Sequence, residues 1–133
     1  DLPPYDAWLS GFAFAQSADK TATGDADGDG VANLVEYALG LNPVVSTANP
    51  ITRSLGTVNG STYLQLSVNR NPAVTNVLIE GQSTGDLSTP SSWSSSTTVN
   101  DPNNSASVFT VRDALPIQSN SKRFLRLRFT LQP

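Results

Sequence analysis

The sequence contains no cysteine, no histidine and no methionine. These absences exclude disulfides, thiolate or imidazole metal ligands, Ser–His–Asp triads and the commonest general base. No stretch approaches the roughly eighteen consecutive apolar residues that a membrane-spanning helix requires. With so little catalytic chemistry available, we expect the chain not to be an enzyme.

Charged residues are also few, at 14% of the 133 residues, and the formal net charge is −3. A typical soluble protein has about 25%. A polar but weakly charged surface is typical of secreted and cell-surface proteins. It lacks the cationic footprint of a nucleic-acid binder. The chain starts at Asp1 without methionine; removal of a signal peptide is the simplest cause, although a trimmed chain would start in the same way, and we expect the protein to be secreted.

Four of the eleven acidic residues lie in one segment, DADGDGVANLVEY, from Asp25 to Tyr37. Numbered from its first residue, this segment follows the ligand register of an EF-hand-type calcium loop. Gly30 at position six permits the sharp turn. The predicted ligands, in order, are Asp25, Asp27, Asp29, the backbone carbonyl of Val31, Asn33 (directly or through water) and Glu36.

Calcium is the expected ion because it is hard and takes six to eight oxygen ligands at about 2.3–2.6 Å. Magnesium prefers fewer protein ligands and more water, so it is the weaker candidate. A solvated acidic turn with helix-capping aspartates is the alternative without an ion. Only one such loop is present, and the stretch SADKTATG (17–24) separates it from the preceding helix. Both features favour a structural ion over a calcium sensor.

A change of composition near residue 49 predicts a helical segment with the calcium loop over 1–48 and a β-domain over 50–133. In the first segment, Asp6 is expected to cap a helix that ends near Gln16 or Ser17. Its buried face should carry Trp8, Phe12 and Ala15.

A second helix is expected to run through NLVEYALG (33–40). Gly40 supplies a left-handed stop, and Pro43 prevents continuation. Glu36 then lies one turn into this helix, so ion binding would fasten the helix to the loop.

Beyond residue 50 the apolar period changes to two, most clearly in TYLQLSV (62–68) and RFLRLRFTL (123–131). Weaker strand candidates are AVTNVLIEG (73–81), SSTTVN (95–100) and ASVFTVRD (106–113). Short strands separated by polar turns predict a mainly β fold. We expect an antiparallel β-sandwich, Ig-like or a small barrel, after a two-helix segment.

These residues resemble a module at the C-terminal ends of secreted proteins from Verrucomicrobia- and Planctomycetes-type bacteria. Its calcium segment runs D-x-DGDG-x-x-N-x-x-EYALG-x-x-P, and a small β-domain with ST-DL…W and RF-x-RL stretches follows. Here STGDL (83–87) with Trp93 and RFLRL (123–127) take those places, although Gly85 interrupts the usual STDL run. The single loop is also similar to dockerin modules and thrombospondin type 3 repeats, where calcium is structural. The resemblance implies an extracellular, non-catalytic module without a defined ligand.

Two other features have alternative interpretations. Trp93, in a serine-rich loop, either staples that loop or offers a stacking platform for a sugar ring, whereas Trp8 is expected in the core. The run KRFLRLR (122–128) could bind phosphate or an acidic glycan. Its alternation instead places Arg126 and Arg128 on the outer face of a terminal strand, where cations keep an edge soluble.

Two glycosylation sequons begin at Asn59 and Asn103, both in predicted turns. They are candidate attachment sites only where the producing organism uses this sequon.

The leading functional hypothesis is a calcium-stabilised extracellular structural protein, a subunit or module of a bacterial cell-surface fibre. A terminal strand is readily completed by a neighbouring chain, so copies or adjacent modules are expected to associate end to end. The alternative is a carbohydrate-binding accessory module of a secreted enzyme, with Trp93 as the sugar contact.

Overall fold

A computed structural model describes residues 4–14, 18–46, 48–120 and 122–132. The helices are α1 (Pro4–Leu9), α2 (Asn33–Leu39) and a short 3-10 turn at Pro90–Ser92. The strands are β1 (Thr52–Val58), β2 (Ser61–Asn69), β3 (Val77–Thr84), β4 (Thr98–Asn100), β5 (Val108–Asp113) and β6 (Phe124–Leu131). None of the helices in the described part has the length and apolar character that a membrane crossing requires.

The strands form antiparallel sheets, which confirms the prediction of a mainly β fold with two short helices before it. One sheet has the strand order β1-β2-β5-β4, and the other consists of β3 and β6. The β1–β2 hairpin turns at Asn59 and Gly60, whose φ angles of 51° and 82° suit a tight hairpin turn. The β3 residue Gly81 lies against the buried side chain of Val111 on β5, so a larger residue at 81 would collide with it.

Contacts divide the chain into two compact units. The first comprises Asp1–Pro50, Arg70–Leu78 and Phe129–Pro133, and the second comprises Ile51–Asn69 and Ile79–Arg128. The first unit contains the acidic loop and both α-helices. The second contains the whole four-stranded sheet.

An aromatic cluster forms the core of the first unit. The ring of Tyr37 on α2 lies 5.3 Å from the rings of both Tyr5 and Trp8 on α1, measured between centroids. Phe12 packs edge-on against Trp8 at 5.2 Å. The Tyr37 hydroxyl donates a hydrogen bond to Oδ1 of Asn76 at 2.6 Å. The cluster therefore joins α1, α2 and the 70–78 segment, and it accounts for the half-buried Trp8.

Helix α1 differs from the prediction at both ends. It begins at Pro4, which suits the first helical position because proline has no N–H to leave unsatisfied. Asp6 consequently lies inside the first turn and is not the cap. The helix ends at Leu9, not near Gln16 or Ser17, because Gly11 and Phe12 donate i→i−3 bonds that tighten the last turn. Ala15, Gln16 and Ser17 lie outside the described residues.

Helix α2 ends as the sequence predicts. Gly40 adopts the left-handed conformation at φ 76°, and the N–H of Leu41 donates to the carbonyl of Glu36 at 2.8 Å. This is the glycine-terminated motif that satisfies the last carbonyls of a helix. The backbone N–H of Asn71 also donates to the carbonyl of Ala38 at 3.0 Å.

Strand β1 is an element that the sequence pattern did not predict. Its sequence, TRSLGTV, alternates poorly, and six of its seven residues are exposed. It is the edge strand of the larger sheet and pairs with β2 along its whole length, including Leu55 opposite Leu64. Its extended state therefore comes from pairing and not from burial.

A buried ion pair lies in the second unit. Arg123 donates to both carboxylate oxygens of Asp113, through Nε at 2.6 Å and Nη2 at 2.8 Å, and Nη2 also donates to Oγ of Ser83 at 3.1 Å. The side chain of Asp113 is fully buried and that of Arg123 is 9% exposed. Burial alone would raise the pKa of Asp113, but the hydrogen bonds and charge of Arg123 lower it below 3.8.

We expect Asp113→Asn to destabilise the protein by about 3–5 kcal/mol at pH 7, because it leaves a buried guanidinium without a counter-charge. The folded-state pKa of Asp113 lies below its unfolded value of 3.8. Its contribution to stability is therefore present above that value and is lost as the pH falls through the folded pKa. The free energy of unfolding in urea, measured from pH 7 to pH 2, tests both points. Asp101→Asn is the control, and an Asp113→Asn variant within about 1 kcal/mol of wild type would contradict the prediction.

Candidate metal centre

The acidic loop is shaped by hydrogen bonds from its own backbone. Gly28 and Gly30 adopt φ angles of 72° and 85°, a region that glycine enters without strain. The turn they make brings their N–H groups onto the Asp25 carboxylate, at 2.9 Å to Oδ1 and 2.7 Å to Oδ2. The first predicted ligand is thus held at the centre of the turn.

The carboxylates of Asp27 and Asp29 also accept hydrogen bonds from loop N–H groups, in each case from the residue two positions later. Asp27 accepts from the N–H of Asp29 at 3.2 Å, and Asp29 accepts from the N–H of Val31 at 2.8 Å. One carboxylate oxygen from each of Asp25, Asp27 and Asp29 lies within 4.8 Å of the other two. Three carboxylates this close together could hold a metal ion.

Glu36 supplies the unusual feature of the site. Its side chain is fully buried at 0% exposure, yet neither Oε1 nor Oε2 has a hydrogen-bond partner in the described structure. Oδ2 of Asp27 is buried without a partner as well. Buried carboxylate oxygens are almost always paired, because an unpaired one loses its hydration without compensation.

Burial is the largest cause of a pKa of about 8 for Glu36, and the negative charges of Asp27, Asp29 and Asp25 follow in that order. Burial likewise raises the pKa of Asp27. Two ionised carboxylates have only acceptor atoms, so they cannot hydrogen-bond each other and need a proton, a cation or a donor such as water between them. The raised pKa values and the unpaired oxygens therefore have one origin, which is a concentration of negative charge away from water.

Asn33, the predicted ninth-position ligand, is fully buried, and its side-chain amide hydrogen-bonds to backbone groups. Its Nδ2 donates to the carbonyls of Asp19 and Thr21 at 2.7 and 2.9 Å. Its Oδ1 accepts from the N–H of Ala26 at 3.2 Å. In this structure Asn33 braces the start of the loop, and a role as a ligand, direct or through water, stays a prediction. Val31 is buried in the loop beside it, at 9% exposure.

The other sequence candidates lie apart from the loop. Trp93 is half-buried, and the guanidinium of Arg126 lies over its ring at 4.2 Å from the centroid. Asn59 is exposed at the tip of the β1–β2 hairpin, and Asn103 is exposed in the loop between β4 and β5. The structure thus brings together Asp25, Asp27 and Asp29, and separately places Arg126 of the basic run over the Trp93 ring.

A scan against models of protein families, a search of curated proteins and a search of solved structures each returned no match to this chain.

In metal-free protein we expect Glu36→Gln to be stabilising at high pH. The folded-state pKa of Glu36, about 8, lies above its unfolded value of 4.5. Its contribution to stability is therefore full below 4.5 and is lost as the pH rises through 8. At pH 9 the variant should exceed wild type by about 1–3 kcal/mol, because it removes a buried unpaired charge.

The measurement is urea unfolding in excess EDTA between pH 4 and pH 9. Glu80→Gln on β3 is the matched control, since it makes the same chemical change away from the loop. A wild type whose stability does not decline over this range, or a Glu36→Gln variant that is less stable than wild type at pH 9, would refute the prediction.

Proposed function

We propose that this chain is a non-catalytic structural module of an extracellular assembly, and that one calcium ion in the acidic loop holds its first unit together. The observation that supports this proposal is the fully buried Glu36 carboxylate, which has no hydrogen-bond partner and whose pKa is raised by burial and by the charges of the three aspartates. A divalent cation would offset two of the four negative charges of this cluster and provide the missing partner for its oxygens.

The donor set favours calcium. The side-chain candidates are four carboxylates and the amide of Asn33, all of which offer hard oxygen ligands, and histidine and cysteine are absent from the chain. The residues that would hold the ion are Asp25, Asp27, Asp29, Glu36 and the carbonyl of Val31. Magnesium would retain more water and would make less use of a buried glutamate.

The ion would act as a structural link. Glu36 belongs to α2, whereas the aspartates belong to the preceding loop. The next residue of α2, Tyr37, is the centre of the aromatic cluster with Tyr5 and Trp8. An ion that fixes Glu36 therefore also fixes the helix that organises the core of this unit.

The polar cluster around Ser83 is occupied by internal hydrogen bonds, which fits the proposed non-catalytic role. The Ser83 hydroxyl is 1% exposed, donates to the carbonyl of Thr97 at 2.9 Å and accepts from Arg123. Its acidic neighbour, Asp113, is engaged by the same arginine. A hydroxyl without access and without a base is a structural group.

The extracellular setting rests on the resemblance and on the weakly charged composition. The carbohydrate-binding alternative stays a prediction, and the geometry at Trp93 does not favour it. Arg126 covers one face of the indole, so a sugar ring would have to displace the guanidinium or use the other face.

We expect calcium to stabilise the protein and magnesium to stabilise it less. For dissociation constants of about 10⁻⁴–10⁻³ M, about 10 mM calcium should add about 1.4–2.7 kcal/mol to the free energy of unfolding. Thermal unfolding after EDTA treatment, with and without added calcium, gives this value, and isothermal titration calorimetry gives the stoichiometry.

Glu36→Gln and Asp27→Asn should abolish the calcium response, while Glu80→Gln should retain it. The proposal fails if wild type binds no calcium, or if the Glu36→Gln variant responds to calcium as wild type does.

A further inference from the structure

The charges of the chain are sorted by sign between the two units. The first unit has seven acidic and two basic residues, whereas the second has four acidic and six basic residues. A bound calcium ion would leave the first unit negative. Apart from the ion pair of Arg123 with Asp113, the exposed side chains of Arg53, Lys122 and Arg128 make no hydrogen bond or ion pair within the described structure. Each copy thus has surplus charge of both signs, in different places.

The positive charge of the second unit includes an ordered patch on β6. Arg126 and Arg128 are exposed, whereas Leu125 and Leu127 between and before them are half-buried. The two arginines therefore share the outer face, about 6.8 Å apart along the strand. Arg126 is held in place by the Trp93 ring at 4.2 Å and by its Nε–H bond to Gln82 at 3.0 Å. A guanidinium fixed in this way loses little freedom on binding a carboxylate.

The first unit has a matching acceptor surface. An open groove of about 920 Å³ runs beside α1. Its apolar lining is formed by Leu9, Phe12 and Phe14, and its acidic lining by Asp6 and Asp19. The ammonium of Lys20 lies 5.9 Å from the Phe14 ring centroid, so the groove already accommodates one cation over an aromatic face.

We propose that Arg126 and Arg128 on β6 of one copy bind the acid-lined groove of a second copy. The arginine stems would pack on the groove's apolar lining while the guanidinium groups pair with Asp6 and Asp19. The two surfaces differ, so the contact is heterologous and can repeat from copy to copy as an open chain. This inference rests on the proposed structural role and names the partner as the protein itself.

The test is sedimentation velocity of the calcium-loaded full chain over a range of concentrations. Wild type should associate at about 20 mM salt and dissociate at about 500 mM, where charge interactions are screened within a few ångströms. Arg128→Glu and Asp6→Lys, each alone, should weaken association at least about tenfold through like-charge contacts. An equimolar mixture of the two variants should associate again, since every contact in an alternating chain then has opposite charges.

Arg53→Glu is the matched control, because it changes the net charge as Arg128→Glu does but lies on β1, and it should leave association intact. Thermal unfolding checks that each variant is folded.

The inference is overturned if calcium-loaded wild type stays monomeric at low salt, if Arg53→Glu has the effect of Arg128→Glu, or if the mixed variants fail to associate. Arginine-dependent binding to an acidic polysaccharide without self-association would also overturn it. Calcium stabilisation without association would refute this inference and leave the calcium proposal standing.

Discussion

The first unit is organised around a buried carboxylate that the protein itself does not neutralise. Glu36 is withdrawn from water on α2, its oxygens have no hydrogen-bond partner among the described residues, and the charges of three aspartates of the preceding loop raise its pKa. Such an arrangement is unfavourable for the chain alone and favourable with a dication. Because Tyr37 follows directly and anchors the aromatic cluster, the electrostatic balance of the loop and the packing of the core are linked through one helix.

The loop and α2 could be predicted because their determinants are local. The spacing of the aspartates, the two loop glycines and Gly40 each specify a conformation within a few residues. The bracing role of Asn33 could not, because its acceptors at Asp19 and Thr21 lie 14 and 12 residues away.

In the second unit, period-two alternation located β2 and β6, whose inner faces are apolar. The same alternation did not predict β1, because β1 is an exposed edge strand whose extended conformation comes from pairing with β2. The ion pair of Asp113 with Arg123 was also hidden, because alternation reports burial and these two residues are buried by pairing with each other. Helix α1 ends earlier than the spacing of Trp8 and Phe12 predicted, because the chain turns at Gly11 through i→i−3 hydrogen bonds.

Because the chain has no cysteine, its stability depends on the acidic loop and on the Asp113–Arg123 ion pair where other small domains use disulfides. Many small secreted domains are fastened by covalent bridges, which are made once by oxidation and are broken by reductants. In this chain the corresponding cross-links are non-covalent: a carboxylate cluster that could hold a cation, and the ion pair of Arg123 with Asp113. Both are insensitive to redox potential and form without an oxidant. A material built from such subunits could be taken apart by acid and a chelator, and could regain its shape when the two are removed.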